Sequence, residues 1–221
     1  MRTIVAVLAL AACAKSANPS CKPKTNFQVL RVDENSELMR KIFTHAGPDH
    51  STAPRDPAAV EAKIVADVDV WKDEQGHTHS DYFLRGPDRA SLEKYLAALP
   101  AELKPPADHA ISFQNTDSAW RTYYVTTKSE VDPAHIVSAH LLVKDETHGI
   151  ETHGIALSFD DQGKAAFTQT TTAALGHKLA TVIDGEVLNA PVIGGVISGG
   201  TIWVTTPTDA EAAALLKKIG C

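Results

Sequence analysis

The sequence predicts an α+β fold in which antiparallel sheets carry helices packed on one face. Three observations point to it. Short strand-like runs recur along the chain, beginning with FQVLRV (27–32), where apolar and polar residues alternate. Helical patterns lie between them, each opening at a capping residue and closing at Gly or Pro. Asp184-Gly185, set between two apolar runs, is a hairpin turn because both central positions take positive φ.

After the strand at 27–32, a helix capped by Asp33 or Asn35 runs to about Ala46, where Gly47-Pro48 stops it. Residues 47–57 hold three prolines and read as loop. Runs at 64–72 and 77–85 flank Asp73-Glu74-Gln75-Gly76 and form a hairpin with a four-residue connection. Asp88 caps a helix that ends near Leu99-Pro100. Beyond the break at KPPAD (104–108), residues 110–114 and 120–126 make a second hairpin. Asp132-Pro133 opens one or two helical turns, and 139–144 returns to strand.

The pentapeptide ETHGI then occurs twice in tandem, at 146–150 and 151–155. So short a duplication lengthens a loop and makes no solenoid. The last third reads as a strand at 155–159 and a helix capped by Asp160 or Asp161 that runs to Leu175 before Gly176. Strands at 179–184 and 186–188 follow, then a Ser198-Gly199-Gly200 turn and a strand at 201–205. Thr208 to Glu211 fits a capping box for a final helix over 209–219 that Gly220 ends. Along that helix Ala212, Leu215, Leu216 and Ile219 share one face.

A chain of 221 residues that is 43% hydrophobic has ample material for a core. Its 21 basic and 27 acidic residues leave a net charge of -6, so no positive field attracts phosphate backbones and nucleic acid is excluded as a partner class. A membrane-spanning helix needs about 20 apolar residues. Only TIVAVLALAA (3–12) is continuously apolar.

That stretch follows Met1-Arg2 and reads as an export signal over 1–12. LAAC (10–13) resembles the bacterial lipobox, which implies an acylated Cys13 and a tether over 13–26. Ala14-Lys15 does not resemble the Asp-type retention signal of the inner membrane, which points to the outer membrane, with the domain facing the periplasm. The alternatives are an ordinary secretory signal cut nearby, or a start codon placed too far downstream. With Cys13 acylated, Cys21 and Cys221 remain, and in an oxidising compartment an even pair gives one disulfide. Two unpaired thiols are the alternative. Closing a loop of about 200 residues contributes roughly 5 kcal/mol on the chain-entropy view.

The run SFDDQGKAAFTQTTTAALGHKLATVIDGEVLNAPVIGGVISGG (158–200) resembles the first periplasmic domain of SecD, an accessory subunit of bacterial protein export. The likeness lies in the order and spacing of its helix, Lys-Leu-Ala strand, Asp-Gly turn and Ile-Ser-Gly-Gly. DENSEL (33–38), WRTYYV (120–125) and DPAHIVSA (132–139) are similar to SecD segments in the same order, so the resemblance covers about 27–219. It implies ferredoxin-like antiparallel sheets, with an N-terminal region at 27–145 and a C-terminal region at 146–221. Strand 27–32 pairing into the sheet of the latter brings Cys21 and Cys221 together. The six transmembrane helices through which SecD couples the proton gradient to export have no counterpart in this sequence, so no motor function carries over. Asn189 stands where the family usually has Ser.

Candidate chemistry is sparse. His77, His79 and Asp81 (HTHSD) lie at i, i+2 and i+4 and project from one face of a strand, as ligands of a metal-dependent enzyme do. Tyr82 occupies the place where metallo-hydrolases carry a further His, and a solvated hairpin face is the expectation. His148 and His153, with His140, offer at most adventitious zinc or nickel binding. Ser198-Gly199-Gly200 lacks the Lys-Ser/Thr of a phosphate loop, and neither Ser158 nor Ser198 has a nucleophile-elbow context. No catalytic residue, cofactor or metal is expected. Trp71, Trp120 and Trp203 each sit in a strand pattern and read as core, with a client-facing surface as the alternative. The expected function is that of a non-enzymatic, lipid-anchored envelope protein that binds extended or partly folded polypeptide during or after export. The alternative is docking on a folded envelope partner such as a Sec translocon component.

Overall fold

The computed structural model describes residues 21–23, 27–48, 54–116, 118–142 and 153–221. Cys13, the signal and most of the tether lie outside the described residues, as do the first ETHGI copy and the boundary at 145/146. In chain order the elements are β1 (Phe27–Arg31), α1 (Glu37–Ala46), α2 (Pro57–Glu61), β2 (Val65–Lys72), β3 (Thr78–Gly86), α3 (Arg89–Ala98), β4 (His109–Thr116) and β5 (Ala119–Thr126). The remainder are β6 (Ile136–Leu141), β7 (His153–Phe159), α4 (Asp161–Ala173), β8 (Leu179–Ile183), β9 (Glu186–Asn189), β10 (Thr201–Thr206) and α5 (Asp209–Lys218).

The fold is α+β, with two sheets. The larger has seven strands in the order β1-β8-β9-β4-β5-β3-β2; the smaller has three, β10-β7-β6. All pairings are antiparallel except the short parallel contact of β4 with β9. β1 lies against β8 with Phe27 opposite Ile183 and Arg31 opposite Leu179, so the first described strand shares a sheet with the C-terminal third.

Local chemistry explains most element boundaries. Asp88 caps α3 by accepting from Ser91 N, and Thr208 caps α5 by accepting from Glu211 N. Asp184 and Gly185 adopt φ of 50° and 76°, as the β8–β9 turn requires. Four boundaries differ from the sequence-based expectation. Ser36, not Asp33 or Asn35, caps α1 by accepting from Met39 N; Asn35 takes φ 59° and accepts from Ser80 N through its side chain. Pro57 starts α2 instead of closing a loop, because Asp56 caps it from the preceding position. β6 begins at Ile136 and β7 at His153, so the end of the second ETHGI copy is strand, not loop.

Three apolar clusters hold the layers together. Ile155 and Leu157 of β7, Phe167 of α4, Leu215 of α5 and Ile219 at its C-cap, and Phe27 and Val29 of β1 form one core, so both C-terminal helices pack on the same face of the small sheet. Met39 and Ile42 of α1, Leu84 of β3 and Leu92 of α3 form the second. Leu30, Val32, Val125 and Val182 form the third. Phe27 and Val29 enter one cluster and Leu30 and Val32 another, which is the period of two of a strand buried on both faces. Each such side chain contributes about 1.5–3 kcal/mol of burial free energy.

Candidate functional site

The HTHSD strand is not a solvated face. His79 and Asp81 are 5% and 2% exposed, while His77 is open to solvent. Pairing of β2 with β3 sets Asp69 opposite Asp81 and Trp71 opposite His79. Two facing carboxylates repel unless cations separate them. Arg121 of β5 reaches both, with one guanidinium nitrogen 3.0 Å from Asp69 and the other 3.0 Å from Asp81. Lys178, from the segment before β8, places Nζ 2.7 Å from Asp81 and 3.1 Å from Asp69. Aromatic faces complete the enclosure: Arg121 lies 3.7 Å from the Phe83 ring centroid and Lys178 4.6 Å from that of Trp71.

Residues 175–178 cover this face, which is why the solvated expectation fails. Trp71 Nε1 donates to Gly176 O at 2.9 Å, and Trp71 stacks on His79 with centroids 5.4 Å apart. His79 Nε2 lies 3.1 Å from Asp73 Oδ2, and His177 Nδ1 lies 3.1 Å from Glu34 Oε2. Burial pushes the Asp81 carboxyl above its ordinary value against the pull of Lys178 and Arg121. Burial also acts upward on Asp69, but there Arg121 and Lys178 outweigh it and hold the carboxyl low. Among the described residues no three His, Cys, Asp or Glu are grouped to hold a metal ion. The cluster is an electrostatic brace between the β2–β3 hairpin and the C-terminal third.

The brace continues into a second feature. Gly176 N donates to Ile193 O, Ile193 N to His177 O and Leu179 N to Pro191 O. Ile193 and Pro191 are walls of an apolar cavity of about 440 Å³, which is also lined by Val29, Phe167, Ile202 and Trp203. Among the described residues no charged side chain lines it. Val192, Val196, Ile197 and Trp203 are exposed around it, the last at 63%. A group of apolar side chains this exposed leaves apolar surface in water that a partner could cover. Trp203 is therefore not core: it projects from the solvent face of β10, while Trp71 and Trp120 are half-buried.

β10 is an edge strand, and among the described residues no backbone hydrogen bond is made on its outer side. Phe159 N donates to Gly200 O, and antiparallel alternation then turns the main-chain groups of Thr201, Trp203 and Thr205 outward. An extended chain laid there gains backbone hydrogen bonds and meets the cavity with its side chains.

The other candidate residues disperse. His140 is half-buried on β6, His153 Nδ1 lies 2.6 Å from Asp209 Oδ1 at the start of α5, and His148 lies outside the described residues. Ser158 is half-buried on β7, and Ser198 is exposed in the turn before β10. Cys21 and Cys221 sit in disulfide position, with Cα atoms 5.6 Å apart across 200 residues of sequence. Sequence reading missed Asp69, Arg121 and Lys178. Only Asp69 left a trace, as an acid at the strand position whose hairpin register faces Asp81.

Comparison with known proteins gives this architecture its family. Residues 110–219 match the SecDF P1 head subdomain, and this half of the chain belongs to that family. The chain is 33% identical over 103 residues to protein translocase subunit SecD of Rickettsia prowazekii (strain Madrid E), a match covering 44% of this chain and 19% of that protein. It is 45% identical over 62 residues to the same subunit of Syntrophobacter fumaroxidans (strain DSM 10017 / MPOB), covering 28% of this chain and 12% of that protein. The matched regions thus span at most 19% of these relatives. Among solved structures, a membrane component SecDF that enhances protein export matches at 18% identity and a TM-score of 0.38, over 88% of this chain and 92% of that one. SecDF in its super-membrane-facing form matches at 15% identity and a TM-score of 0.39, over 90% and 28%. No helix among the described residues is long and apolar enough to cross a membrane.

Proposed function

We propose that this chain is a non-enzymatic module of protein export that faces the periplasm and binds extended polypeptide along the outer edge of β10. One observation carries the reading: a strand edge that is unpaired among the described residues borders an apolar cavity ringed by exposed Val192, Val196, Ile197 and Trp203. Main-chain pairing is indifferent to sequence, which suits a protein that meets many exported chains. The cavity adds a preference for apolar side chains, because a charge placed there meets no opposite charge among the described residues that line it. Kinship with the SecDF head subdomain supports a place in export. Acylation of Cys13 would keep the domain at the envelope without a spanning helix.

Fluorescence anisotropy of labelled test proteins, titrated with a soluble form beginning at Ser16, tests this reading. Micromolar binding to several unrelated unfolded chains and none to their folded forms is expected. Binding to folded envelope proteins such as Sec translocon components, and to no unfolded chain, would replace the client-binding role with docking.

A further inference from the structure

The two edges of the small sheet are treated differently. Among the described residues β10 is open, whereas β6 is met at Ala139 by Cys21 in an antiparallel bridge: Cys21 N donates to Ala139 O at 3.1 Å, and Ala139 N to Cys21 O at 2.7 Å. Ala139 is fully buried at the middle of its strand. Cys21 packs against the same core as β7 and α5. At the other end of the chain, Cys221 follows α5, which lies across β6, β7 and β10, and its N–H donates to Leu216 O at 3.1 Å. Ile219, two residues earlier, is 1% exposed and anchors that end firmly. Among the described residues Cys21, by contrast, is joined to the sheet by a two-bond bridge beside its packing on that core, and backbone hydrogen bonds contribute about 0.5–1.5 kcal/mol each.

We infer that the Cys21–Cys221 disulfide is an edge lock. Oxidised, it ties Cys21 to a helix end anchored by buried Ile219 and keeps the β6 edge occupied at Ala139, so that β10 is the acceptor edge of the small sheet. Reduced, it frees Cys21 to leave, and the backbone groups of Ala139 become available to a second extended chain. Cys221 is exposed and Cys21 half-buried, so a small dithiol reaches the bond. The dithiol supplies two electrons and two protons: the S–S bond breaks, Cys21 and Cys221 become thiols, and the reductant closes to its own disulfide. An unguarded edge invites pairing with other chains, and blocking one edge while leaving the other open gives strand addition a single site. The consequence for client number rests on the strand-addition reading of β10; the lock itself does not.

Hydrogen exchange on the whole chain, oxidised and then in dithiothreitol, tests the lock without any client. The Ala139 amide is expected to exchange at least tenfold faster after reduction, with the amides of β7 unchanged, and Cys221→Ser is expected to reproduce this without reductant. An unchanged Ala139 rate would overturn the lock, because Cys21 would then hold its place unaided. Loss of protection throughout β7 would also overturn it, because the bond would then staple the entire fold. A labelled peptide of alternating valine and threonine is expected to bind once per oxidised chain and twice per reduced chain. A ratio of one in both states, with Ala139 exposed, would remove the second acceptor edge. Absence of binding in both states would instead fail the β10 reading, with the exchange result still deciding the lock.

Discussion

Lys178 Nζ lies 2.7 Å from the buried Asp81 carboxylate, a contact between residues 97 positions apart that fastens the C-terminal third onto the β2–β3 hairpin. Arg121 alone would leave the buried Asp81 underpaired. Lys178→Met should therefore destabilise the fold by about 3–5 kcal/mol, the usual cost of removing one member of a buried ion pair. The double variant Lys178→Met/Asp81→Asn should recover part of that loss by removing the stranded charge. Urea unfolding of the single and double variants measures both effects, and a full additive loss in the double variant would contradict the pairing.

Gly176 is the geometric condition for this brace. Its φ is +80°, and a Cβ added there would stand 2.7 Å from Asp73 Cβ. Its carbonyl accepts from Trp71 and its N–H donates to Ile193 O, so a shift at this point reaches both the brace and the cavity wall. Gly176→Ala should cost about 1–3 kcal/mol of stability from left-handed backbone strain, with further loss from the contact. It should also weaken peptide binding more than Gly185→Ala does, since Gly185 has no neighbour within 4 Å of a built Cβ.

Acid should unfold the domain through its low carboxyls. The Gly163 amide and then His135 hold Asp160 below the ordinary carboxylate range, and Arg121 and Lys178 hold Asp69 low against burial. A carboxyl with a depressed folded-state pKa contributes stability that is complete above its unfolded value of about 3.9 and disappears as pH falls through the folded value. Asp81, raised by burial, works in the opposite sense: its contribution is present at low pH and is lost as pH rises through its folded value. The melting temperature should accordingly fall steeply below about pH 4. Asp160→Asn, which retains a capping side chain but no charge, should make that fall shallower. Thermal melts between pH 2 and 8 decide it, and identical slopes would contradict the assignment.

Trp203 should matter to clients and hardly at all to the fold. At 63% exposure its replacement by Ser should change stability by no more than about 0.5 kcal/mol. Affinity for an apolar extended peptide should fall at least tenfold. Equal affinity in the variant would move the binding surface away from β10.

The elements that sequence reading located are those whose chemistry is local. Asp88, Thr208 and the Asp184-Gly185 turn each act within four residues of themselves, so their patterns suffice. The α1 cap was ambiguous because Asp33, Asn35 and Ser36 are all capping types, and the hydrogen bond from Ser80 to Asn35 that decides between them comes from a distant hairpin. His79 and Asp81 announced a shared face, but what covers that face arrives from residues 175–178, and no periodicity encodes that meeting. Trp203 failed for a related reason. Strand alternation says which residues share a side, whereas the burial of that side depends on which layer the sheet lacks.

Backbone pairing at β10 can be tested most directly with two versions of one labelled peptide of alternating valine and threonine, each N-methylated on one alternate set of amides. Strand addition uses only the set that faces Thr201, Trp203 and Thr205, so one version should lose binding at least tenfold and the other should bind as the unmethylated peptide does. Equal affinity of the two methylated versions would contradict strand addition at this edge.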